Sequence, residues 1–329
     1  MKQRVLSGMQ PTGQLHLGNY FGALKKWVEI QDSYECFYCI VDWHALTTAY
    51  QDSSAVADAC MAVAADWLAA GLDPEKCVMF VQSHVPEHAE LHLLLSMVTP
   101  VAWLERVPTY KEKQQELTGK DLSTYGFLGY PLLQTADIIL YKAGLVPVGE
   151  DQVPHLELAR EITRRFNSNF GEVFPEPQAL LSPVPKLRGT DGRKMSKSYN
   201  NSILMAEEPA DLDRKIKPMM TDPRRKRRTD PGEPDDCPVF DLHRVFTEAA
   251  KQEEVAHLCR TAGFGCLDCK GILLERMHPI MDPMKQRRDE LLKQPERIRE
   301  ILRDGAARAR KVAEETMEQV RAAIGLLRA

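Results

Sequence analysis

Five consecutive residues, Lys194-Met195-Ser196-Lys197-Ser198, carry the most specific chemistry in the chain. They lie between Gly189-Thr190-Asp191-Gly192 and Asn200-Asn201, so they belong to a loop. Two lysines at this spacing reach one triphosphate. Neutralising a departing pyrophosphate is the main demand of nucleotidyl transfer. Met195 is suited to lie against a flat base. A solvated lysine loop has the same local spacing, and the five residues alone do not separate the two readings. A second segment, His16-Leu17-Gly18-Asn19, follows the breaker Gln10-Pro11-Thr12-Gly13 and opens a helical pattern. A helix start offers unpaired N–H groups and a positive dipole end to phosphate. Gly18 leaves room for a close approach, and His16 can hydrogen-bond a phosphate oxygen as charge develops. The plainer reading is a helix that begins after a Pro-Gly turn.

Eight cysteines fall into two sets. Cys36, Cys39, Cys60 and Cys77 sit in apolar surroundings, and Cys36 and Cys39 lie three apart on a strand candidate. Residues three apart on a strand point to opposite faces, so these two read as core residues. Cys237, Cys259, Cys266 and Cys269 have the spacing C-x21-C-x6-C-x2-C. In a reducing compartment four such thiolates suit an iron–sulfur cluster or tetrahedral zinc, and reduced, metal-free cysteines remain the third possibility. The run Arg224-Arg225-Lys226-Arg227-Arg228 suits nucleic-acid phosphate and equally a solvated loop.

These residues need a scaffold, and the first two hundred positions supply an alternation of short apolar strands and helical patterns. Strands are predicted at Val5–Met9, Cys36–Val41, Cys77–Val81 and Leu145–Val148. Helices are predicted from His16, from Ser53 (as its cap) to Ala70, over Glu87–Val98, Gly129–Tyr141 and Asp151–Phe166. That alternation predicts an α/β, Rossmann-like parallel sheet, with ligands at the carboxyl ends of its strands. Beyond residue 205 charged helical segments dominate: Asp211–Met220, Pro238–Lys251, Gly271–Lys293 and Asp304–Leu327. The expected division is a catalytic domain over 1–205 and a C-terminal α-helical domain over 206–329. With 329 residues, 43% hydrophobic and 27% charged, the chain suits one or two globular domains. A net charge of −4 means that a nucleic-acid partner would meet a local basic face. The sequence has no run of eighteen apolar residues and no signal-like start, which predicts a cytoplasmic protein without membrane spans.

Taken together, the two loop motifs resemble the HIGH and KMSKS signatures of class I aminoacyl-tRNA synthetases, in the right order and on the right kind of sheet. Ser7-Gly8-Met9-Gln10-Pro11-Thr12-Gly13, Ile40-Val41-Asp42-Trp43-His44-Ala45, Tyr130-Pro131-Leu132-Leu133-Gln134-Thr135-Ala136-Asp137 and Val148-Gly149-Glu150-Asp151-Gln152 look like the tryptophanyl-tRNA synthetases. The resemblance implies tryptophan activation by ATP with magnesium, transfer to tRNA(Trp) and a homodimer. It implies that Asp137 accepts the indole N–H, an apt choice because indole offers one donor and no acceptor. Tyr130 and Gln152 would hold the amino and carboxylate ends, with His44, Leu6, Gln134 and Val148 lining the pocket. Gln10, Thr12, Gly18, Asn19 and Asp151 would hold ATP, together with Met195 and Ser196. His16, Lys113, Lys194 and Lys197 would meet the phosphates as catalytic groups. Leu6 and Gln134 depart from the aromatic residue and Met that many relatives carry, and Gln134 is expected to reach Asp137. A bacterial subset carries the four-cysteine pattern and binds a [4Fe–4S] cluster near the anticodon-recognition region, which favours iron over zinc. The competing readings are a tyrosine-specific synthetase, a small-molecule adenylyltransferase and a non-catalytic RNA-binding or redox-sensing paralogue.

Overall fold

The computed structural model of the protein describes residues 2–108, 110, 121–149, 152–181 and 187–327, so the predicted site residues Lys113 and Asp151 lie outside the described residues. Strands β1 (Arg4–Met9), β2 (Glu35–Ile40), β3 (Cys77–Val81), β4 (Leu145–Val148) and β5 (Gln178–Leu181) form a parallel sheet in the order β3-β2-β1-β4-β5. The strands are apolar runs because helices cover both faces. Cys36, Tyr38 and Ile40 enter one core, and Phe37 and Cys39 enter the other. The two cysteines of that pair therefore do face opposite ways. The sequence pattern did not reveal β5, whose end residues Gln178 and Leu181 are exposed.

The helix after β1 starts as α1 (Leu17–Asn19), passes through a π-helical turn at Tyr20–Leu24 and continues as α2 (Lys25–Ile30). Trp27 of α2 stacks on Tyr38 at 4.6 Å, which fixes this helix to the sheet. The remaining helices of the first part are α3 (Asp42–Ala49), α4 (Val56–Ala70), α5 (Glu87–Ser96), α6 (Val101–Glu105), α7 (Tyr125–Leu140) and α8 (Val153–Phe170). Ser53 is not the cap of α4. Asp52 first turns the chain by accepting from the Ser54 amide and hydroxyl, and the helix then starts after Ala55.

The C-terminal region is helical: α9 (Pro209–Ile216), α10 (Pro238–Phe246), α11 (Ala249–Arg260), α12 (Cys266–Leu292) and α13 (Pro295–Ala323). The single helix expected over Pro238–Lys251 breaks at Thr247, whose backbone is extended. Asp268 accepts the Gly265 N–H at 2.8 Å, so α12 begins earlier than predicted. Among the described residues no helix is long and apolar enough to cross a membrane.

Helix α13 returns to the sheet and lies along the edge strand β3. Arg308 donates to the carbonyls of Pro74 (2.8 Å) and Cys77 (2.9 Å), which satisfies strand-edge acceptors. A Cβ at Gly305 would overlap the Met79 carbonyl, so only glycine lets the helix come this close. Gly305→Ala is therefore expected to cost about 2–3 kcal/mol, since the obstacle is backbone and not a movable side chain. Urea unfolding followed by circular dichroism should show that loss. An unchanged midpoint would mean that α13 shifts freely on β3.

Candidate functional site

The strand order reverses between β1 and β4, and a cavity of about 490 Å³ opens there at the carboxyl ends of both strands. β1 supplies Leu6 to Gln10, and β4 supplies Val146 to Val148, with Gly149 after it. Gly18 and Asn19 enter from α1, His44 from α3 and Gln152 from the start of α8. Tyr130, Gln134 and Asp137 enter from α7. The structure thus brings ten of the predicted ligand-contacting residues to one cavity, from six separate elements.

Asp137 is 4% exposed, and three side chains converge on its carboxylate. His44 Nε2 lies 2.9 Å from Oδ2, and His88 Nδ1 lies 2.7 Å from Oδ1. The Gln82 side-chain amide donates to Oδ1 at 2.7 Å. His88 in turn bonds the Tyr141 hydroxyl at 2.7 Å through Nε2. Burial opposes charge on Asp137. The electrostatic interaction with His88 and the bonds from His44 and His88 outweigh it, and they hold the carboxyl well below the usual carboxylate range. The result is an oriented anionic acceptor in an apolar cavity, suited to an N–H on a flat ring. Sequence reasoning missed Gln82 and His88. It assigned the steadying amide to Gln134, but the amide that reaches Asp137 is that of Gln82, which lies beneath the carboxylate at the end of β3.

Beside this cavity, α1 opens on a reciprocal cap. The His16 Nδ1 accepts the Asn19 N–H at 3.3 Å, and the Asn19 side-chain oxygen accepts the His16 N–H at 3.1 Å. Neutral His16 therefore keeps its proton on Nε2, as a donor. Burial, and then the charge of Lys197, bring the His16 pKa down to about 4, so the ring is neutral at neutral pH. A Cβ on Gly18 would stand 2.9 Å from this ring, so the bare backbone of Gly18 first makes room for His16 itself.

The Lys197 ammonium donates to the Thr12 carbonyl at 2.8 Å, with the Thr12 hydroxyl at 3.4 Å. Burial lowers the Lys197 pKa, and the negative charge of Asp66 opposes that shift. His16, Thr12 and Lys197 thus form one charged corner of the site. The lysine loop is ordered around Asn201, which is 2% exposed. Its side chain accepts from the Ser196 amide (2.8 Å) and donates to Asp191 (2.7 Å) and to the Lys194 carbonyl (3.1 Å). Lys194 and Ser198 are exposed. Met195 is buried at 5% exposure within the core, not presented to a base, because its thioether gains more from packing under the loop.

The four late cysteines come from three helix ends. Cys237 caps α10, Cys259 lies in the last turn of α11, and Cys266 and Cys269 occupy the first turn of α12. Burial pushes the Cys269 thiol up to about 12, helped by the nearby Cys237, Cys259 and Cys266. Among the described residues no group of three or more His, Cys, Asp or Glu is set to hold a metal ion as it stands. Cationic and N–H groups do face the sulfurs. An Arg225 N–H points at Cys259 Sγ (3.8 Å), and His243 Nε2 lies 3.4 Å from Cys269 Sγ. Burial lowers the pKa of the nearby Lys270, whose ammonium donates to the Lys217 and Met219 carbonyls at 2.7 and 2.6 Å.

The basic run beside the cysteines is not a free patch of five charges. Arg224 pairs with Asp222 and Asp236, Arg228 pairs with Asp268, and Arg225 donates to the Phe264 carbonyl at 2.7 Å. Lys226 and Arg227 bond Asp230 through backbone N–H groups, and both residues are exposed.

Comparison with known proteins agrees with this geometry. The family model for tRNA synthetases class I (W and Y) matches residues 1–281. A tryptophan–tRNA ligase from Thermotoga maritima is 53% identical, with 98% of this chain and 99% of the relative covered. One from Ralstonia nicotianae is 44% identical, with 98% of each covered. A crystal structure of tryptophanyl-tRNA synthetase from Campylobacter jejuni, complexed with ADP and tryptophan, superimposes with a TM-score of 0.87 at 38% identity. That match covers 98% of this chain and 100% of the other.

Proposed function

The chain belongs to the class I tRNA synthetases for tryptophan and tyrosine, its activity is ATP-dependent tryptophan–tRNA ligation, and from that premise we propose which residues do the work. In the first step the tryptophan carboxylate attacks the α-phosphorus of magnesium-bound ATP, and pyrophosphate leaves. In the second, the 3′-terminal ribose hydroxyl of tRNA attacks the activated carbonyl, and AMP leaves. No protein nucleophile is needed, so rate comes from positioning and charge stabilisation.

Asp137 accepts the indole N–H, and this assignment rests on the three donors that orient it. Leu6, His44, Gln134 and Val148 enclose the ring, while Tyr130 and Gln152 hold the amino and carboxylate ends. Gln10, Thr12, Gly18 and Asn19 receive the nucleotide, with Asp151 on the ribose and Met195 and Ser196 completing the loop. His16 donates from Nε2 to a phosphate oxygen, and Lys113, Lys194 and Lys197 neutralise the triphosphate. The corner in which Lys197 already meets Thr12 beside His16 supports this half of the reading. Amino-acid-dependent ATP–pyrophosphate exchange tests each assignment, as developed below.

The division into a catalytic unit over 1–205 and a tRNA anticodon-binding unit over 206–329 is part of the same proposal, as is a cytoplasmic location. Within the second unit, Cys237, Cys259, Cys266 and Cys269 hold a [4Fe–4S] cluster. Two observations support the donor set: Cys237, Cys259 and Cys266 lie close enough to Cys269 to help raise its thiol pKa, and an Arg225 N–H points at Cys259 Sγ. When bound, the cluster would tie together the ends of α10, α11 and α12. Protein purified without oxygen is expected to be brown, with about four iron and about four labile sulfide per chain, and Cys266→Ser to lose both. Stoichiometric zinc without iron would contradict this.

Lys226 and Arg227 are the cations of the basic run that meet tRNA phosphate. Neutralising both is expected to lower the salt slope of tRNA binding by about 1–2; an unchanged slope would exclude them. A homodimer is supported by exposed apolar side chains at Leu93, Met97 and Val101, near the end of α5 and the start of α6. Sedimentation at twice the chain mass is expected, and a monomer under assay conditions would refute it.

A further inference from the structure

The turn that carries His16 is held from two sides. On one side it pairs with the segment after the lysine loop: the Leu17 N–H donates to the Ile203 carbonyl, and the Met205 N–H to the Leu15 carbonyl, each at 2.9 Å. On the other side the Leu15 N–H donates to Asp66 Oδ2 at 2.6 Å. Asp66, on α4, is fully buried, and its second oxygen accepts Arg288 Nε at 2.5 Å. Arg288 is 5% exposed and lies near the end of α12. With the Gln14 amide oxygen turned toward it, both terminal nitrogens of Arg288 stand 3.0 Å from that oxygen. Next to it, Arg287 Nε donates to the Ala69 carbonyl at the end of α4, at 2.8 Å. One guanidinium thus ties together α12, α4 and the two residues before His16.

Helix α12 also carries Cys266 and Cys269 in its first turn. Arg288 lies about 30 Å further along the axis, at 1.5 Å per residue. A buried ion pair is weak evidence for stability as such, because desolvation offsets much of its attraction, so its geometry calls for another explanation. Its acceptor ends on the peptide N–H just ahead of His16. Asp66 also acts electrostatically on Lys197, at the other end of the same phosphate corner.

We propose that Asp66 and Arg288 are positioning residues for ATP, a strut through which the far end of α12 sets the His16 turn against the lysine loop. The inference rests on His16 and Lys197 meeting the phosphates, as proposed above. No part of the strut touches the cavity around Asp137, so its effect falls on ATP and not on tryptophan.

The test is ATP–pyrophosphate exchange on the full-length protein. Arg288→Lys keeps the charge but loses the planar fork that reaches Asp66 and Gln14 together. The double variant Asp66→Asn with Arg288→Gln removes both charges and is the reading to use if the single variant fails to fold. The expected result is a rise of about tenfold or more in KM for ATP, or an equal fall in kcat, with KM for tryptophan within about twofold. His16→Asn is measured in parallel. If it leaves ATP kinetics unchanged, the phosphate-site reading itself fails, and the strut with it. If His16→Asn impairs ATP use while the folded strut variants keep wild-type ATP kinetics, the strut proposal alone is overturned. Equal effects on ATP and tryptophan, or loss of fold in both variants, would also overturn it by assigning the pair to stability.

Discussion

Asp137→Asn is expected to lower kcat/KM for tryptophan by about a thousandfold in ATP–pyrophosphate exchange, with KM for ATP changed by less than about twofold. The substitution keeps the volume, so the effect is one of hydrogen bonding. The wild-type carboxylate accepts from Gln82, from His88 and from His44. An asparagine has only one acceptor oxygen, and its NH2 must face at least one of those N–H groups. The variant loses the acceptor for the indole N–H and also leaves a buried donor unpaired. Each such loss costs about 1–3 kcal/mol, and together they give about 4 kcal/mol, or three decades. A fall of less than tenfold would mean that the indole is read elsewhere. The sign of the pH dependence follows from the same bonds. The folded carboxyl lies below its unfolded value of about 3.9, so its stabilising charge is fully present above that value. It is lost only as pH falls through the lower folded value. KM for tryptophan should therefore owe no change to Asp137 between pH 8 and about 5.

Lys197→Ala is the second large effect. We expect kcat for exchange to fall by about 10²–10³, with KM for tryptophan within about threefold. The ammonium is half-buried, near His16, and already bonded to the Thr12 carbonyl. It is therefore aimed before ATP arrives, and a charge held in a partly dry site stabilises the leaving pyrophosphate more than a solvated one does. Lys197→Arg should restore little, because the planar guanidinium does not reproduce the point charge beside Thr12. A kcat within fivefold of wild type for Lys197→Ala would move this role to Lys194 or Lys113.

Much of this site was legible because its parts are local in sequence. Strands β1 to β4 announce themselves as short apolar runs, and the His16 and Lys194 segments are contiguous motifs. What stayed hidden is long-range or depends on packing. Gln82 and His88 meet Asp137 across 55 and 49 residues, and Asp66 meets Arg288 across 222. No periodicity records such a pairing. Met195 read as a base contact because its side chain suits a flat ring, yet the fold buries it. The arginines at 224, 225 and 228 read as one patch with their neighbours. Apart from Asp222, two residues before Arg224, their partners Asp236, Phe264 and Asp268 lie too far along the chain to be foreseen. Ser53 has the right chemistry for a cap, but the Asp52 turn displaces the helix start by local competition.

The account's central claim is that the cavity between β1 and β4, with its triply held Asp137, activates tryptophan. The most direct test is ATP–pyrophosphate exchange by the wild-type protein with tryptophan and with tyrosine in parallel. We predict robust exchange with tryptophan and a kcat/KM for tyrosine lower by about 10⁴ or more, since the site is built around one N–H donor on a large flat ring. Equal or faster exchange with tyrosine, or no exchange with either amino acid, would contradict the account.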